Sequence, residues 1–463
     1  MSEKQQSNNM SIISRFTEAT VVGLGVSGYS AARYLRSRGL AVCVVDTRPH
    51  PPLAESLLKE HPEVETFFGS LSVEAVKNAE LLVVSPGVSL GLPDISAAKN
   101  RGAEIVGDIE LFLQENTKPL IAITGSNGKS TVTTLVGEMC LAGGKKPLVA
   151  GNIGEPVLNS LIENSEYDVA VLELSSFQLE TTSIVPAESA TILNISADHM
   201  DRYASMGDYM LAKARIMRGA KRAVLSRHEP ELEQITKAAK LIYFGLDKPK
   251  ADNIFGVDRR KSGRWLMKGS ESLMRLTDVP LVGLHNILNV LAAFALTDFL
   301  AIDKDKLVSA VISFEGLPHR MQTVAVKDGV TFVNDSKATN IGAAAMALKN
   351  LESPVYWIAG GDGKGADFSE MRDELPDTVQ HAFLIGRDAN EIKNAVNSKV
   401  STTVVDTLED AVRQAYKLAS PGSVVLLSPA CASFDMFSGF AQRGEEFVRA
   451  VKALSDDSSG VLL

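Results

Sequence analysis

The chain has 463 residues, a length that predicts about three domains at roughly 150 residues each. Hydrophobic residues make up 45% of the chain, which is enough for several buried cores. The formal net charge of -9 argues against a general nucleic-acid-binding or anionic-membrane surface, so local lysines, arginines and helix N-termini would have to hold any anionic ligand.

The cysteines and the apolar segments predict a cytoplasmic protein. Cys43, Cys140 and Cys431 are far apart and form no metal-binding spacing, which fits a reducing compartment. The start, MSEKQQSNNMS, is polar and lacks the apolar core of a signal peptide. The most apolar helix-like segment, 287–302, carries Asp298 and is too short to span a bilayer comfortably.

In the first part of the chain, short β-branched segments alternate with amphipathic ones. Residues 19–24, 41–46 and 80–85 are predicted strands, and 27–38 is a predicted helix. This β-α-β alternation favours a mostly parallel sheet.

The loop after the first predicted strand has a G-x-G-x-x-G pattern formed by Gly23, Gly25 and Gly28, and Asp46 ends the next strand. This spacing is typical of dinucleotide-binding sites, in which glycines let the backbone approach a phosphate at a helix N-terminus. A tight turn without a ligand remains an alternative, and Asp46 could simply be a turn residue. Arg48 could contact a phosphate or lie in solvent.

A second loop, GSNGKST, follows the apolar segment 120–123 and precedes a helical pattern. Its amides and Lys129 would hold phosphates, and the Ser130 hydroxyl would bind magnesium. The loop resembles a P-loop but is shorter than the common pattern, G-x-x-x-x-G-K-[ST], because Ile123 stands where that pattern has its first glycine, five residues before Gly128. A chance glycine turn is the weaker alternative.

Several polar residues after the P-loop helix could bind a metal ion. Glu173 lies at the end of one predicted strand, Asp198 and His199 follow another, and Lys213 lies on a predicted helix. A carboxylate after a strand near a P-loop commonly binds magnesium, which favours this role for Glu173. For His199 the spacing leaves a ligand and a hydrogen-bonded histidine equally open, and Lys213 alone reads as a solvated lysine.

The rest of the chain completes an α/β protein with three units. Residues 244–280 are predicted to form small antiparallel strands, 285–312 a helix pair, and 315–320 a hinge. Four strands are predicted in the last unit, at 330–335, 355–360, 381–386 and 423–428. The predicted domains are 1–107, 108–315 and 316–463.

Ten motifs occur in an order that resembles the Mur ligase family: TGSNGKST, GNIG, ELSSFQLE, ADHMDR, LAKARI, GLHNILN, LPHR, NDSKATN, GGDGKGADF and SPACASFDMF. The P-loop form is shared with folylpolyglutamate synthetases, whereas the last three motifs point to the family member that adds D-glutamate. The resemblance implies a Rossmann-like N-terminal domain, a P-loop-type central ATPase domain and a Rossmann-like C-terminal domain.

The implied reaction is ATP-dependent amide synthesis on UDP-N-acetylmuramoyl-L-alanine, through an acyl phosphate that D-glutamate then attacks. The resemblance implies a cytoplasmic monomer that uses ATP and two Mg²⁺ ions. It implies no nucleic-acid partner and no membrane insertion.

The resemblance assigns roles on the ATP side. Lys129, His199, Lys213 and Lys337 would be catalytic, with Lys213 matching a carbamoylated lysine. The metal ligands would be Ser130, Glu173, His199 and Lys213. The ATP contacts would be Gly125, Ser126, Asn127, Gly128, Lys129, Ser130, Thr131, Asn286, Asn289, Arg320 and Asp335.

It also assigns the two other substrates. The UDP-linked substrate would contact Val26, Ser27, Asp46, Thr47, Arg48, Ser85 and Asn152. D-glutamate would be received by Thr339, Lys364, Ser433 and Phe440. Two other functions remain open. One is a sister ligase with another acceptor or a folate substrate, and the other is a nicotinamide-binding oxidoreductase or nucleotide-sensing module, which rests on the first loop alone.

Overall fold

The computed structural model describes residues 11–200, 202–236, 238, 240–281 and 283–454. The polar N-terminal segment on which the absence of a signal peptide was predicted lies almost entirely outside these residues. The chain forms two compact units. The first runs to Ile195 and adds Arg202–Leu276 and Asn289–Ile312; the second adds 196–200 and Thr277–Leu288 to the chain from Ser313. The predicted domain boundaries stay predictions.

The first unit begins with a parallel five-stranded sheet of order β3-β2-β1-β4-β5. The strands are β1 (Glu18–Val22), β2 (Ala41–Asp46), β3 (Glu65–Phe68), β4 (Leu81–Val84) and β5 (Glu104–Val106). The helices are α1 (Val26–Ser37), α2 (Ala54–Glu60), α3 (Glu74–Lys77), α4 (Pro93–Asn100) and α5 (Asp108–Glu115).

A nine-stranded sheet of order β14-β13-β12-β11-β10-β9-β6-β8-β7 follows in the same unit. Its strands are β6 (Leu120–Thr124), β7 (Pro147–Gly151), β8 (Val169–Glu173), β9 (Ser189–Ile192), β10 (Arg222–Ser226), β11 (Lys240–Phe244), β12 (Ile254–Arg260), β13 (Gly263–Lys268) and β14 (Glu271–Arg275). Its helices are α6 (Lys129–Ala142), α7 (Val157–Ile162), α8 (Ser176–Glu180), α9 (Met206–Ala214) and α10 (Glu231–Gln234). Two longer helices follow in the chain, α11 (Leu284–Thr297) and α12 (Lys304–Ser313).

Strand β6 is buried along its whole length and pairs in parallel with β8 and β9. Its LIAIT sequence suits a strand whose two faces are both covered. The loop that follows β6 therefore starts in the interior of the sheet, at the edge where parallel strands end.

The second unit contains a six-stranded sheet of order β15-β16-β20-β17-β18-β19, parallel except for β15. Its strands are β15 (Gln322–Lys327), β16 (Val330–Asn334), β17 (Val355–Gly360), β18 (Val379–Ile385), β19 (Ser401–Val404) and β20 (Val424–Leu427). Its helices are α13 (Ile341–Lys349), α14 (Ser369–Glu374), α15 (Ala389–Val396), α16 (Leu408–Leu418) and α17 (Phe440–Ala453).

The first two sheets are joined by packed helices and by polar contacts. The Tyr34 hydroxyl and the Arg38 guanidinium both contact the Glu115 carboxylate at the end of α5. Ser30 of α1 donates to Asn159 of α7 over 2.9 Å. These contacts hold the glycine loop of the first sheet in a defined position relative to the nine-stranded sheet.

The predicted α/β class and the predicted strands are confirmed, including antiparallel pairing of β12, β13 and β14. These three strands extend the nine-stranded sheet, because β12 pairs in parallel with β11. No helix in the described part of the chain is both long and apolar enough to cross a membrane.

Candidate active site

The GSNGKST loop joins β6 to α6 in a conformation that two glycines permit. Gly125 has φ +152° and Gly128 has φ +83°, where L side chains are strained. A Cβ at Gly128 would also lie 2.5 Å from Oδ1 of Asn289, a buried residue. The loop thus places the N-terminus of α6 at the sheet edge, as a phosphate site requires.

Asn194, which no sequence argument singled out, holds this loop from the end of β9. Its Oδ1 accepts the Asn127 amide over 2.8 Å, and its Nδ2 donates to the Asn127 carbonyl over 3.0 Å. The Ser126 amide donates to the Asn194 carbonyl over 3.0 Å. The available signal was its position directly after a buried strand on the same sheet edge as Glu173.

Replacing Asn194 with alanine should weaken ATP binding about tenfold or more, because two hydrogen bonds that set the loop conformation are lost. The KM for ATP and the affinity for a fluorescent ATP analogue measure this change. Asn100→Ala, at the exposed end of α4, is the control. An unchanged ATP affinity in folded Asn194→Ala protein would contradict the assignment.

Two lysine side chains meet at one carbonyl of the loop. Nζ of Lys129 donates to the Gly125 carbonyl over 2.8 Å and to the Ser126 carbonyl over 2.9 Å. Nζ of Lys213 donates to the same Gly125 oxygen over 3.0 Å, and it lies 4.6 Å from the centre of the Tyr209 ring. Lys213 is only 2% exposed, so the interpretation of it as a solvated surface lysine is wrong.

Glu173 ends β8 beside the P-loop strand and is 2% exposed. Its Oε1 accepts a hydrogen bond of 2.9 Å from Nδ2 of Asn152, whereas its Oε2 is buried and has no hydrogen-bond partner among the described residues. A buried carboxylate oxygen without a partner is costly unless a cation approaches it. The donor set therefore fits a magnesium ion, with Glu173 and Ser130 as residues that could hold it.

His199 lies on the segment 196–200, which belongs to the second unit. Its φ of 58° is unusual for a residue with a side chain. Its Nε2 lies 3.6 Å from Oδ2 of Asp198, and its amide donates to Oδ1 of Asp198. Among the described residues, no three His, Cys, Asp or Glu side chains form a preformed metal cluster. Asn286 is buried in the second unit.

The first glycine loop is closely packed in itself. Gly23 has φ +91°, and a Cβ at Gly28 would overlap the Gly23 carbonyl oxygen. The Ser85 hydroxyl donates to that same oxygen over 2.7 Å. Gly23 and Gly28 are thus required by the packing of strand against helix, while Gly25 faces open space.

The Asp46 carboxylate is bonded to other groups of the protein. Its Oδ2 accepts the Leu24 amide over 2.7 Å, and its carboxylate pairs with the Arg48 guanidinium at 2.6 Å. The Arg48 side chain is half exposed, and Thr47 is exposed beside it. At the start of α1, Val26 is 63% exposed, and Ser27 donates to the buried carboxylate of Asp108.

Arg202 is a second residue that the sequence analysis missed. Its Nη2 donates to the Val88 carbonyl over 3.2 Å and to Glu180 over 2.8 Å, and its guanidinium lies 4.4 Å from the centre of the Phe177 ring. It thereby links the loop after β4 to α8 of the neighbouring sheet. The ADHMDR motif contains it, but only the structure reveals these long-range partners.

In the second unit, the residues predicted to receive D-glutamate follow three strands. Thr339 lies after β16, Lys364 after β17 and Ser433 after β20, while Phe440 begins α17. Lys364 has φ +53° and Ser433 is 2% exposed. Nζ of Lys337 lies 3.9 Å from the centre of the Phe440 ring.

Asp335, directly after β16, has a buried carboxylate. Burial raises its pKa to about 7, although hydrogen bonds from the Ser428 hydroxyl and the Met321 amide, and the charge of Arg320, act to lower it. Because the folded state holds this proton more tightly than the unfolded chain, its stabilising contribution is lost as the pH rises through about 7.

Asp335→Asn should therefore gain thermal stability relative to the wild type as the pH rises. The midpoint of thermal unfolding, measured between pH 5.5 and 8, should show a variant-minus-wild-type difference that is more positive at pH 8. Asp377→Asn, at an exposed position of the same unit, is the control. A difference that does not change with pH would contradict the raised pKa.

Three family models match the chain in succession. They describe a MurD-like N-terminal domain of Mur ligases at 17–107, a Mur ligase middle domain at 123–297, and a Mur ligase glutamate ligase domain at 319–431. Together they cover more than half of the chain. The chain belongs to the Mur ligase family. Members of this family are ATP-dependent ligases with three α/β domains, so the predicted fold class and ligase activity are confirmed.

Two named relatives match this chain in sequence over nearly its whole length. The UDP-N-acetylmuramoylalanine–D-glutamate ligase of Methylobacillus flagellatus is 48% identical over 94% of this chain and 97% of its own. The same-named enzyme of Pseudomonas aeruginosa is 46% identical over 96% of this chain and 100% of its own.

Two solved structures share the fold at low identity. A pseudomurein peptide ligase type C from Methanothermus fervidus has 20% identity and a TM-score of 0.58 over 94% of this chain and 100% of its own. The UDP-N-acetylmuramate-alanine ligase of Thermotoga maritima has 19% identity and a TM-score of 0.58 over 95% of this chain and 100% of its own.

Proposed function

We propose that this chain joins D-glutamate to UDP-N-acetylmuramoyl-L-alanine in peptidoglycan precursor synthesis, with cleavage of ATP to ADP and phosphate. Relatives named UDP-N-acetylmuramoylalanine–D-glutamate ligase are 43–48% identical to this chain over nearly its full length, and this similarity is the main support for the proposal. The reaction needs groups that bind the phosphates of ATP and a magnesium ion. The loop after β6 would bind the phosphates, and the buried oxygen of Glu173 would bind the magnesium ion.

A free carboxylate is a poor acyl donor, so it must first be activated. A carboxylate oxygen of the UDP-linked substrate attacks the γ-phosphorus of ATP, and ADP leaves. The D-glutamate nitrogen then attacks the carbonyl carbon of the acyl phosphate, the nitrogen loses a proton, and phosphate leaves with the bonding electrons. The intermediate would hydrolyse in water, so the site must exclude water while it exists.

The residues of the P-loop divide the work on phosphate. The amides at the start of α6 bind the phosphates, and Lys129 stabilises the charge that develops during transfer. Ser130 and Glu173 would hold a magnesium ion, which would neutralise phosphate charge. Asn152 orients Glu173 through its hydrogen bond to Oε1.

A second magnesium ion held by His199 and a carbamoylated Lys213 is also part of the proposal. Two ammonium groups share the Gly125 oxygen, so like charges meet there. After the Lys213 ammonium loses a proton, its amine would attack carbon dioxide and lose a second proton to give a carbamate. The negative carbamate would attract Lys129 in place of the repulsion and could bind a metal ion.

The remaining predicted contacts are proposed as follows. ATP is contacted by Asn286, Asn289, Arg320, Asp335 and Lys337. The UDP-linked substrate is contacted by Val26, Ser27, Asp46, Thr47, Arg48, Ser85 and Asn152. D-glutamate is contacted by Thr339, Lys364, Ser433 and Phe440. Lys364 offers a cation to a carboxylate, and Ser433 offers a hydroxyl donor. We propose a cytoplasmic monomer, in keeping with three free cysteines.

Phosphate release with UDP-N-acetylmuramoyl-L-alanine and Mg²⁺-ATP tests the proposal. We expect release with D-glutamate and none above background with L-glutamate, L-lysine or meso-diaminopimelate. Release with another amine alone would identify a sister ligase. In a parallel assay a folate substrate replaces the UDP-linked one, and release only in that assay would identify the folate branch. Absence of release with every one of these substrates would contradict ligase activity on them.

A further inference from the structure

One arginine of the second unit lies entirely inside the protein and contacts only oxygen atoms of loops. Arg443 of α17 is 0% exposed. Its Nε donates to Oγ of Ser336 over 3.0 Å, and its Nη2 donates to the Ser336 carbonyl over 2.8 Å. Its Nη1 donates to the carbonyls of Cys431 at 3.1 Å and Ala432 at 3.3 Å, with Gly360 at 3.5 Å.

These acceptors follow three adjacent strands. Ser336 lies after β16, Gly360 ends β17, and Cys431 and Ala432 lie after β20, which pairs with both β16 and β17. One planar guanidinium therefore sets the distances between the loops at the carboxyl edge of this sheet. Its rigid fork of N–H groups suits this role, which a lysine could not fill.

The charge of Arg443 has no carboxylate partner within ion-pair distance in the described part of the chain. Burial lowers the pKa of its guanidinium to about 10, so it stays charged at neutral pH. Carbonyl and hydroxyl oxygens, together with the more distant charge of Asp435, compensate the charge, an arrangement that costs desolvation energy without an ion pair in return. The arrangement is therefore better explained by the positions that it imposes than by stability.

The same three loops carry the residues proposed for D-glutamate. Thr339, Lys364 and Ser433 lie on them, and Ser433 directly follows Ala432. The Ser336 hydroxyl also donates to the Phe440 carbonyl over 2.8 Å, so the contact network reaches the start of α17 as well.

We infer that Arg443 is a positioning residue for the acceptor amino acid: it holds the loops after β16, β17 and β20 in the arrangement that binds D-glutamate. The inference rests on the proposed function. A dicarboxylate acceptor needs a cation and hydroxyl donors at set distances, and three separate loops can keep those distances only if something fixes them to one another.

Arg443→Lys tests this inference in the full-length protein, because it keeps a positive charge and removes the fork. We expect the KM for D-glutamate to rise about tenfold or more, which corresponds to the loss of at least one charge-assisted hydrogen bond. The KM for the UDP-linked substrate should stay within about threefold, because its proposed contacts all lie in the first unit and none is on a loop that Arg443 contacts.

The first half-reaction separates a positioning role from a purely structural one. Hydroxylamine traps the acyl phosphate as a hydroxamate without D-glutamate, and its formation by Arg443→Lys should stay within about threefold of the wild type. Arg449→Lys is the matched control, because Arg449 lies on the same helix in an exposed ion pair with Glu446.

Two results would overturn the inference: an unchanged KM for D-glutamate in folded Arg443→Lys, or equal losses for all substrates and for hydroxamate formation. If Arg443→Lys does not fold, Ser336→Ala decides, because it removes the acceptor of Nε with little change in volume. That variant should raise the KM for D-glutamate about threefold or more, and an unchanged value overturns the inference.

The wild type separates this inference from the proposed function. If the wild type releases phosphate only with another amine, the proposed acceptor is wrong, and the same KM comparison with that amine tests Arg443 on its own.

Discussion

Replacement of Lys129 by alanine should remove ligase activity by at least about 10²–10³-fold, the effect of losing one key donor to a developing charge. The lysine lies at the N-terminus of α6, and its ammonium already contacts the loop that would enclose the phosphates. Phosphate release at saturating substrates measures the effect, and circular dichroism checks the fold.

Lys146→Ala is the control for this experiment. Lys146 is exposed at the start of β7, at the opposite end of the same sheet. It should leave the rate within about twofold, because a surface substitution away from the site changes little. A fully active Lys129→Ala enzyme would refute the P-loop assignment.

Lys213→Ala should also lose at least about 10²-fold in rate, and added formate or acetate should restore part of it. If a carbamate on Lys213 is the working group, the variant lacks a carboxylate-like ligand, and a small carboxylate can occupy the space that the truncated side chain leaves. Phosphate release is measured with and without the anion, against chloride at equal ionic strength.

The wild type should not respond to either carboxylate, and neither should Lys129→Ala, which loses a cation. Inactivity of Lys213→Ala without any rescue would contradict the carbamate and leave the ligase proposal intact. Full activity of Lys213→Ala would contradict any catalytic role for this lysine.

The local patterns were sufficient to predict most of the fold. The β-branched segments and the glycine loops that follow them carry their signal within a few residues, so β1, β2, β6 and β16 lie within one or two residues of their predicted ends. Strands such as β3, β7 and β19 were missed, because they are only partly buried and their apolar pattern is correspondingly weak.

Candidate site residues could be proposed from the sequence where one motif contains the whole chemical argument. Lys129, Ser130 and Glu173 belong to that group. Asn194, Arg202 and Arg443 do not, because each has at least one hydrogen-bond partner more than 60 positions away in the chain. Their side chains could not be distinguished by spacing from ordinary capping or surface residues.

Asp46 and Lys213 illustrate the same limit in opposite directions. The position of Asp46 at a strand end predicts a ligand contact, which stays a prediction, but it did not predict the hydrogen bonds that Leu24 and Arg48 donate to its oxygens. Lys213 looked like a surface residue on its helix, yet the fold buries it against the P-loop. Burial and pairing are decided by tertiary packing, which a local pattern does not encode.

The position of Arg443 also has a consequence for biosynthesis. Helix α17 is the last helix of the described chain, so the ribosome makes all six strands of the second sheet before it makes the side chain that joins their loops. A nascent chain can therefore complete the loop between β6 and α6 of the first unit while the loops after β16, β17 and β20 still lack the side chain that joins them. Truncation before residue 443 would remove this guanidinium from a chain that still contains every strand of the second sheet.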